Sequence, residues 1–175
     1  MNSTPSVRRW LSELLQIAYA IATILMLWAT LRVVTGSPHP ILTVSSESME
    51  PTFYRGDIIL LWNRQHYIDV GDIPVVWFPG RSLPMVHRAI KVIHQDEGES
   101  DNSTARQLIL TKGDNNDLDD TSLYPNGRAF VHREEIVGLV RAYIPYLGRL
   151  SLVVKDQPWI LYASLAGMLA VGKLL

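Results

Sequence analysis

Between Leu14 and Leu31 the chain reads LLQIAYAIATILMLWATL, 18 residues without a charge. As a helix rising about 1.5 Å per residue, such a run covers about 27 Å, close to the thickness of a bilayer's hydrocarbon core. Arg8 and Arg9 precede the run, Trp10 beside them suits an interface anchor, and Arg32 closes it. A cleaved leader would carry a shorter apolar region, about 7–15 residues, followed by a small-residue cleavage site. Here the run leads into RVVTGSPHP, a poor cleavage site. A retained transmembrane anchor over 14–34 is therefore expected. Two arginines before it against one behind favour a cytosolic N-terminus over 1–13, with the remainder outside the cytosol.

A second apolar stretch, Trp159 to Gly172, has 14 residues and is short for a comfortable span. Pro158 suits a first helical turn. Residues 158–175 read as a short C-terminal apolar helix, either packed, interfacial or partly inserted, with membrane contact favoured. The part between, 35–157, is long enough for one folded body. Its apolar runs are short, rich in β-branched and aromatic residues, and separated by turn residues: Ile41–Val44, Ile58–Trp62, Val75–Phe78, Val86–Ile93, Gln107–Thr111 and Ile136–Ile144. The expected fold is mainly β, an antiparallel β domain between the two apolar helices.

Composition excludes several functions. The net charge of −1 gives no reason to expect nucleic-acid binding. The absence of cysteine removes disulfide scaffolds, thiol nucleophiles and cysteine-based metal centres. An acidic run between Gln95 and Asp120 invites a calcium reading. It lacks the alternating ligands, glycine and distant glutamate of an EF-hand loop, so no metal is expected. Part of that run, QDEGESDNSTAR from Gln95 to Arg106, reads as a mobile hairpin loop. It contains Asn102-Ser103-Thr104, an acceptor pattern for N-glycosylation at Asn102; Asn2-Ser3-Thr4, on the expected cytosolic side, should stay bare.

Three segments carry residues for chemistry. They are SSESMEP (45–51) followed by Arg55-Gly56-Asp57, then PMVHR (84–88), then KGDNNDLDD (112–120). They supply a serine, a histidine and carboxylates. A serine hydroxyl near neutral pH needs a neighbouring imidazole to take its proton. The imidazole in turn needs a carboxylate to fix its tautomer and stabilise its charged form. Ser48 also fits an ordinary turn serine, and His87 a satisfied strand histidine; their separation of 39 positions leaves any meeting to the fold.

Taken together, Ser48-Met49-Glu50-Pro51, Arg55-Gly56-Asp57, Val86-His87-Arg88, Lys112-Gly113-Asp114-Asn115-Asn116 with Asp119-Asp120, and Val137-Gly138 with Ile144-Pro145-Tyr146 resemble the serine–histidine type of signal peptidase I. This is the family of the catalytic subunit of the eukaryotic endoplasmic-reticulum signal peptidase complex. The motifs occur in the family's order behind one membrane anchor, and the likeness covers roughly residues 10–175. It implies a signal-peptidase-like β domain with Ser48 as nucleophile and His87 as general base, where bacterial relatives carry lysine. Asp120 ranks first as the triad carboxylate and Asp114 second, as a supporting carboxylate. Ser46 is a candidate oxyanion donor by analogy with the bacterial enzymes. Glu47 departs from the glycine that many relatives have at this place.

The implied activity is removal of signal peptides from presecretory proteins, cutting after small residues at −1 and −3 through an acyl-enzyme. The implied setting is the endoplasmic-reticulum membrane, as a single-pass type II protein with a lumenal catalytic domain. The implied partners are accessory subunits of a hetero-oligomeric complex and membrane lipid, with no cofactor. Two other functions fit the residues. One is a non-catalytic, membrane-tethered peptide-binding β module; the other is a serine protease for other membrane-proximal substrates.

Overall fold

The computed structural model describes residues 7–95, 106–157, 159, 162 and 163. Helix α1 runs from Val7 to Thr35, 29 residues, about 43 Å long and longer than the anchor expected over 14–34. It is long and apolar enough to cross a membrane, and its apolar window makes no buried contact with the rest of the chain. Leu14, Ile17, Ile21, Ile24 and Leu25 are all exposed. The helix stops at Gly36, whose φ of +66° is the left-handed conformation in which glycine ends helices at little cost. Its N–H donates back to the Arg32 carbonyl at 3.0 Å. Arg64, from the folded body, donates to the Val34 carbonyl at 2.7 Å and to the Val33 carbonyl as well. A cation there suits the negative end of the helix dipole and fastens the body directly beneath α1.

The body is built from two antiparallel sheets. The first has five strands in the order β1 (Ile41–Thr43), β2 (Ile58–Trp62), β8 (Ile136–Ile144), β3 (Pro74–Val76) and β4 (Met85–Val86). The second has three: β5 (Arg88–Gln95), β6 (Arg106–Lys112) and β7 (Val131–His132). A short helix α2 (Arg149–Asp156) follows β8. The expected run Val86–Ile93 is in fact two strands. Val86 pairs with Val75 in the first sheet and Arg88 with Lys112 in the second, so the chain changes sheet at His87. The two-residue β7 and α2 are too short for a sequence period to announce them. The expected hairpin between β5 and β6 is present, closed by Gln95 opposite Arg106. Its loop, with the glycosylation candidate Asn102, lies outside the described residues. So does most of the C-terminal apolar segment, of which Trp159, Tyr162 and Ala163 are helical and exposed.

Two apolar cores result. One joins the sheets through Ile68, Val76, Phe78, Ile109, Val131 and Leu139. The other gathers Val44, Met49, Phe53, Ile59, Leu61 and Val75. Met49 and Phe53 flank the turn that carries Ser48, and burying each contributes about 1.5–3 kcal/mol. The turn is thus pinned from below by its own neighbours.

Candidate active site

Ser48 lies in the β1–β2 connection. The Glu50 N–H donates to the Glu47 carbonyl at 3.2 Å and the Phe53 N–H to the Met49 carbonyl at 3.0 Å, which winds the segment into tight turns. Asp57, buried behind them, accepts from the backbone N–H groups of Tyr54 at 2.9 Å and Tyr146 at 3.0 Å. The Arg55-Gly56-Asp57 motif is therefore architectural. Gly56 turns the chain at φ +97°, Asp57 ties two turns together, and Arg55 pairs with Asp156 of α2 at 2.9 Å.

The KGDNN segment clamps the same turn from the other side. The Asn115 N–H donates to the Ser48 carbonyl at 2.9 Å, and its side-chain amide donates to the Glu47 carbonyl at 3.1 Å. Gly113 has no room for a side chain: a Cβ there would lie 2.7 Å from the Ser48 carbonyl oxygen and 2.6 Å from the Asn116 amide nitrogen.

His87 stands where β4 hands over to β5, and Asp120 opens a 3-10 turn, Asp120–Leu123. Their meeting with Ser48 is tight. His87 Nε2 lies 3.0 Å from Ser48 Oγ, and His87 Nδ1 lies 2.7 Å from Asp120 Oδ2. An ionised carboxylate can only accept, so Nδ1 carries the proton and Nε2 is free to accept from the serine hydroxyl. Exposure falls along this line: Ser48 is half-buried, His87 is 5% exposed and Asp120 is 1% exposed. Asp120 Oδ2 also accepts from the Thr111 hydroxyl at 2.6 Å.

Asp114 sits elsewhere. Arg88 grips it with Nε on Oδ1 at 2.8 Å and a terminal nitrogen on Oδ2 at 2.6 Å, and the Thr52 hydroxyl donates to Oδ2 at 2.5 Å. The Arg88 hydrogen bonds hold the Asp114 carboxyl below the usual carboxylate range, against the opposing effect of partial burial. Arg88 also reaches the Gly71 carbonyl at 3.1 Å. The group ties β5, the loop after β6 and the end of the serine turn to one another. Ser46 is close to the nucleophile candidate, with its Oγ 3.2 Å from Ser48 Oγ.

Sequence reasoning did not single out Thr111, Tyr124, Thr52 or the clamp by Asn115. For Thr111 the sequence held no signal, because Leu108 and Leu110 form the more apolar row of β6; the structure shows that the buried row is instead Gln107, Ile109 and Thr111, so two polar residues occupy core positions and each must find partners.

Ser46, Ser48 and His87 open on a cavity of about 300 Å³. Its walls are mainly apolar, including Leu42 and Val44 from one edge of the sheet and Val76, Phe78 and Met85 from the other, with Thr43, Ser45 and Arg81 also lining it. β1 and β4 are the two edges of the five-stranded sheet, and residues of both line the cavity. An unpaired strand edge beside an apolar cleft is the arrangement that takes up an extended peptide by β-addition.

The class these features define is that of serine-type peptidases, and the Peptidase S24-like family profile matches residues 16–120. Similarity to particular proteins narrows it. The chain is 39% identical over 170 residues to the signal peptidase complex catalytic subunit SEC11 of Candida albicans, covering 97% of each. It is 40% identical over 169 residues to that of Emericella nidulans, covering 91% of this chain and 88% of the relative. It is 42% identical over 168 residues to that of Paracoccidioides lutzii, covering 87% and 85%. The chain belongs to the family of signal peptidase catalytic subunits.

Proposed function

We propose that this chain is a membrane-anchored endopeptidase of the endoplasmic reticulum that removes N-terminal signal peptides by acyl-enzyme chemistry, with Ser48, His87 and Asp120 as its triad. The observation that carries the reading is the unbroken hydrogen-bonded line from the Ser48 hydroxyl through His87 to the buried Asp120 carboxylate, opening on an apolar cleft. As Ser48 Oγ attacks the peptide carbonyl, its proton moves to His87 Nε2, and Asp120 offsets the charge that appears on the ring. His87 then gives that proton to the leaving amine and takes another from the water that releases the acyl group. Ser46 and backbone N–H groups of the serine turn stabilise the oxyanion.

Substrate and setting follow the same reasoning. The anchor is assigned to 14–34, the catalytic body to 35–157 and a membrane-associated segment to 158–175, with the N-terminus in the cytosol and the body in the lumen. Arg64 holds the body against the end of α1, which keeps the cleft near the bilayer surface, where a signal peptide leaves the membrane. The peptide lies extended along a strand edge, and the cleft admits small side chains at −1 and −3. The relatives are named as subunits of a complex, and accessory subunits are assigned to this chain too.

Serine and histidine variants test the reading in the assembled complex with a presecretory substrate. Ser48→Ala and His87→Ala should each lower turnover by roughly 10⁴- to 10⁶-fold with assembly intact. Normal cleavage by either variant removes the catalytic assignment.

A further inference from the structure

The carboxylate oxygen that meets His87 is not held by the histidine alone. Behind Asp120 lies a second polar pair, Thr111 and Tyr124, inside the core that joins the two sheets. Thr111 is 0% exposed and Tyr124 5%. The Thr111 hydroxyl is 2.6 Å from Asp120 Oδ2, the same oxygen that receives the His87 Nδ1 proton. Thr111 Oγ1 is also 2.9 Å from the Tyr124 hydroxyl, which accepts from the Thr111 backbone N–H at 2.9 Å.

The proton order in this chain is forced. A carboxylate oxygen offers no proton, so the Thr111 hydroxyl must donate to Asp120. Its only proton is then committed, so the Tyr124 hydroxyl must donate to Thr111 Oγ1. The tyrosine oxygen keeps a lone pair for the Thr111 N–H. Strand β7 pairs with Leu108 and Ile109 and stops short of Thr111, so the phenol takes the place of a missing strand's carbonyl. Burial pushes the Tyr124 phenol up from its ordinary value, so it remains a donor across the working range.

We propose that Thr111 and Tyr124 form a positioning relay that orients the Asp120 carboxylate on His87 and moderates its charge. The proposal rests on the triad reading above. Neither residue touches the reacting atoms; both act through Asp120. A structural role is the competing account, since buried polar groups are generally paired. Gln107 separates the two. It lies on the same buried row of β6, is likewise buried, and exchanges hydrogen bonds with the Ile68 backbone at 2.9 and 3.0 Å rather than with the triad. Among the charged groups near the relay, Asp119 acts on Tyr124 and Lys112 on Asp119, Asp114 held by Arg88 acts on His87, Arg81 donates to the Leu123 carbonyl, and Arg128 lies over the Phe78 ring that meets Tyr124; the substitutions below leave them all in place.

The experiment uses the full chain in its complex, a presecretory substrate, and pH profiles of kcat and KM. Thr111→Val keeps the shape and removes the hydroxyl; it should lower kcat about 10- to 100-fold with KM within about threefold. The unshared carboxylate charge then favours protonated His87 more strongly, so the acid limb of the profile moves to higher pH. Thr111→Ser restores the hydroxyl and should return kcat to within about threefold, with the original limb. Tyr124→Phe should move both quantities in the direction of the valine variant, by less. Gln107→Met should lower thermal stability and leave the limb in place.

A valine variant with unaltered kcat and limb overturns the relay, and so does a serine variant as impaired as the valine. If the valine variant does not assemble, Tyr124→Phe decides, and unaltered kcat and limb there overturn the relay. Cleavage by Ser48→Ala instead defeats the triad reading, whereas an inactive Ser48→Ala beside an unaltered Thr111→Val defeats the relay alone.

Discussion

Asp114 and Asp120 stand six positions apart in the connection that follows β6, yet the fold puts them in opposite circumstances. Asp114 is exposed, gripped by one edge of the Arg88 guanidinium through two N–H groups and by Thr52. Asp120 is enclosed and, among the described residues, no lysine or arginine pairs with it; its partners are an imidazole and a hydroxyl. A carboxylate already neutralised by arginine has little to offer a histidine that must become charged. One held by neutral donors keeps its field directed at the ring, and low surroundings of polarity strengthen that field. The pair teaches that acidity of sequence does not say which carboxylate meets the histidine; the fold does, and the proposed triad follows that partner.

Three substitutions break or sharpen this contrast. Asp120→Asn should have the largest effect, lowering kcat by about 10⁴-fold with the fold retained, because an amide there can favour the wrong histidine tautomer. Single-turnover cleavage of a presecretory substrate measures it. A loss no greater than that of Asp114→Asn would reverse the assignment of the two acids.

Gly113→Ala comes next. Its methyl would press on the Ser48 carbonyl from 2.7 Å, where real Cβ contacts do not go, so the serine turn must shift. A displacement of this order should cost about 10²-fold in kcat, visible with the histidine and its acid untouched.

Asp114→Asn should act mainly on stability, by about 1–3 kcal/mol, with at most about a tenfold loss of kcat. The sign of its pH dependence follows from the direction of the shift. Arg88 holds the folded-state Asp114 below its unfolded value, so the pair's contribution is fully present above about pH 4 and is lost as pH falls through the lowered folded value. Thermal melting of wild type and variant should therefore differ by a constant amount at neutral pH and converge in acid. Melting curves that stay equally separated down to pH 2 would place the stabilisation elsewhere.

Much of the site was visible along the chain because its motifs are local. SMEP, VHR and KGDNN each pack residues whose immediate neighbours do the positioning: Met49 anchors Ser48, Arg88 anchors the strand after His87, and Gly113 and Asn115 clamp the serine turn. The rest escaped because it depends on approach across the core. Thr111 is an unremarked strand threonine until Asp120 and Tyr124 close over it, and the division of one apparent strand into β4 and β5 follows from pairing with two different sheets.

The order of residues alone was enough to point to an apolar N-terminal helix, a β body of short apolar runs between turns and the residue types available for acyl transfer, since all three follow from apolar run length, turn residues and side-chain chemistry over short distances. Tertiary structure decided which acid faces His87, which is spent on Arg88, and that a hydroxyl and an imidazole 39 positions apart lie 3.0 Å from each other. The physical reason is that hydrogen bonding acts over about 3 Å, a range that sequence separation does not encode, and burial sets how strongly each charge is felt.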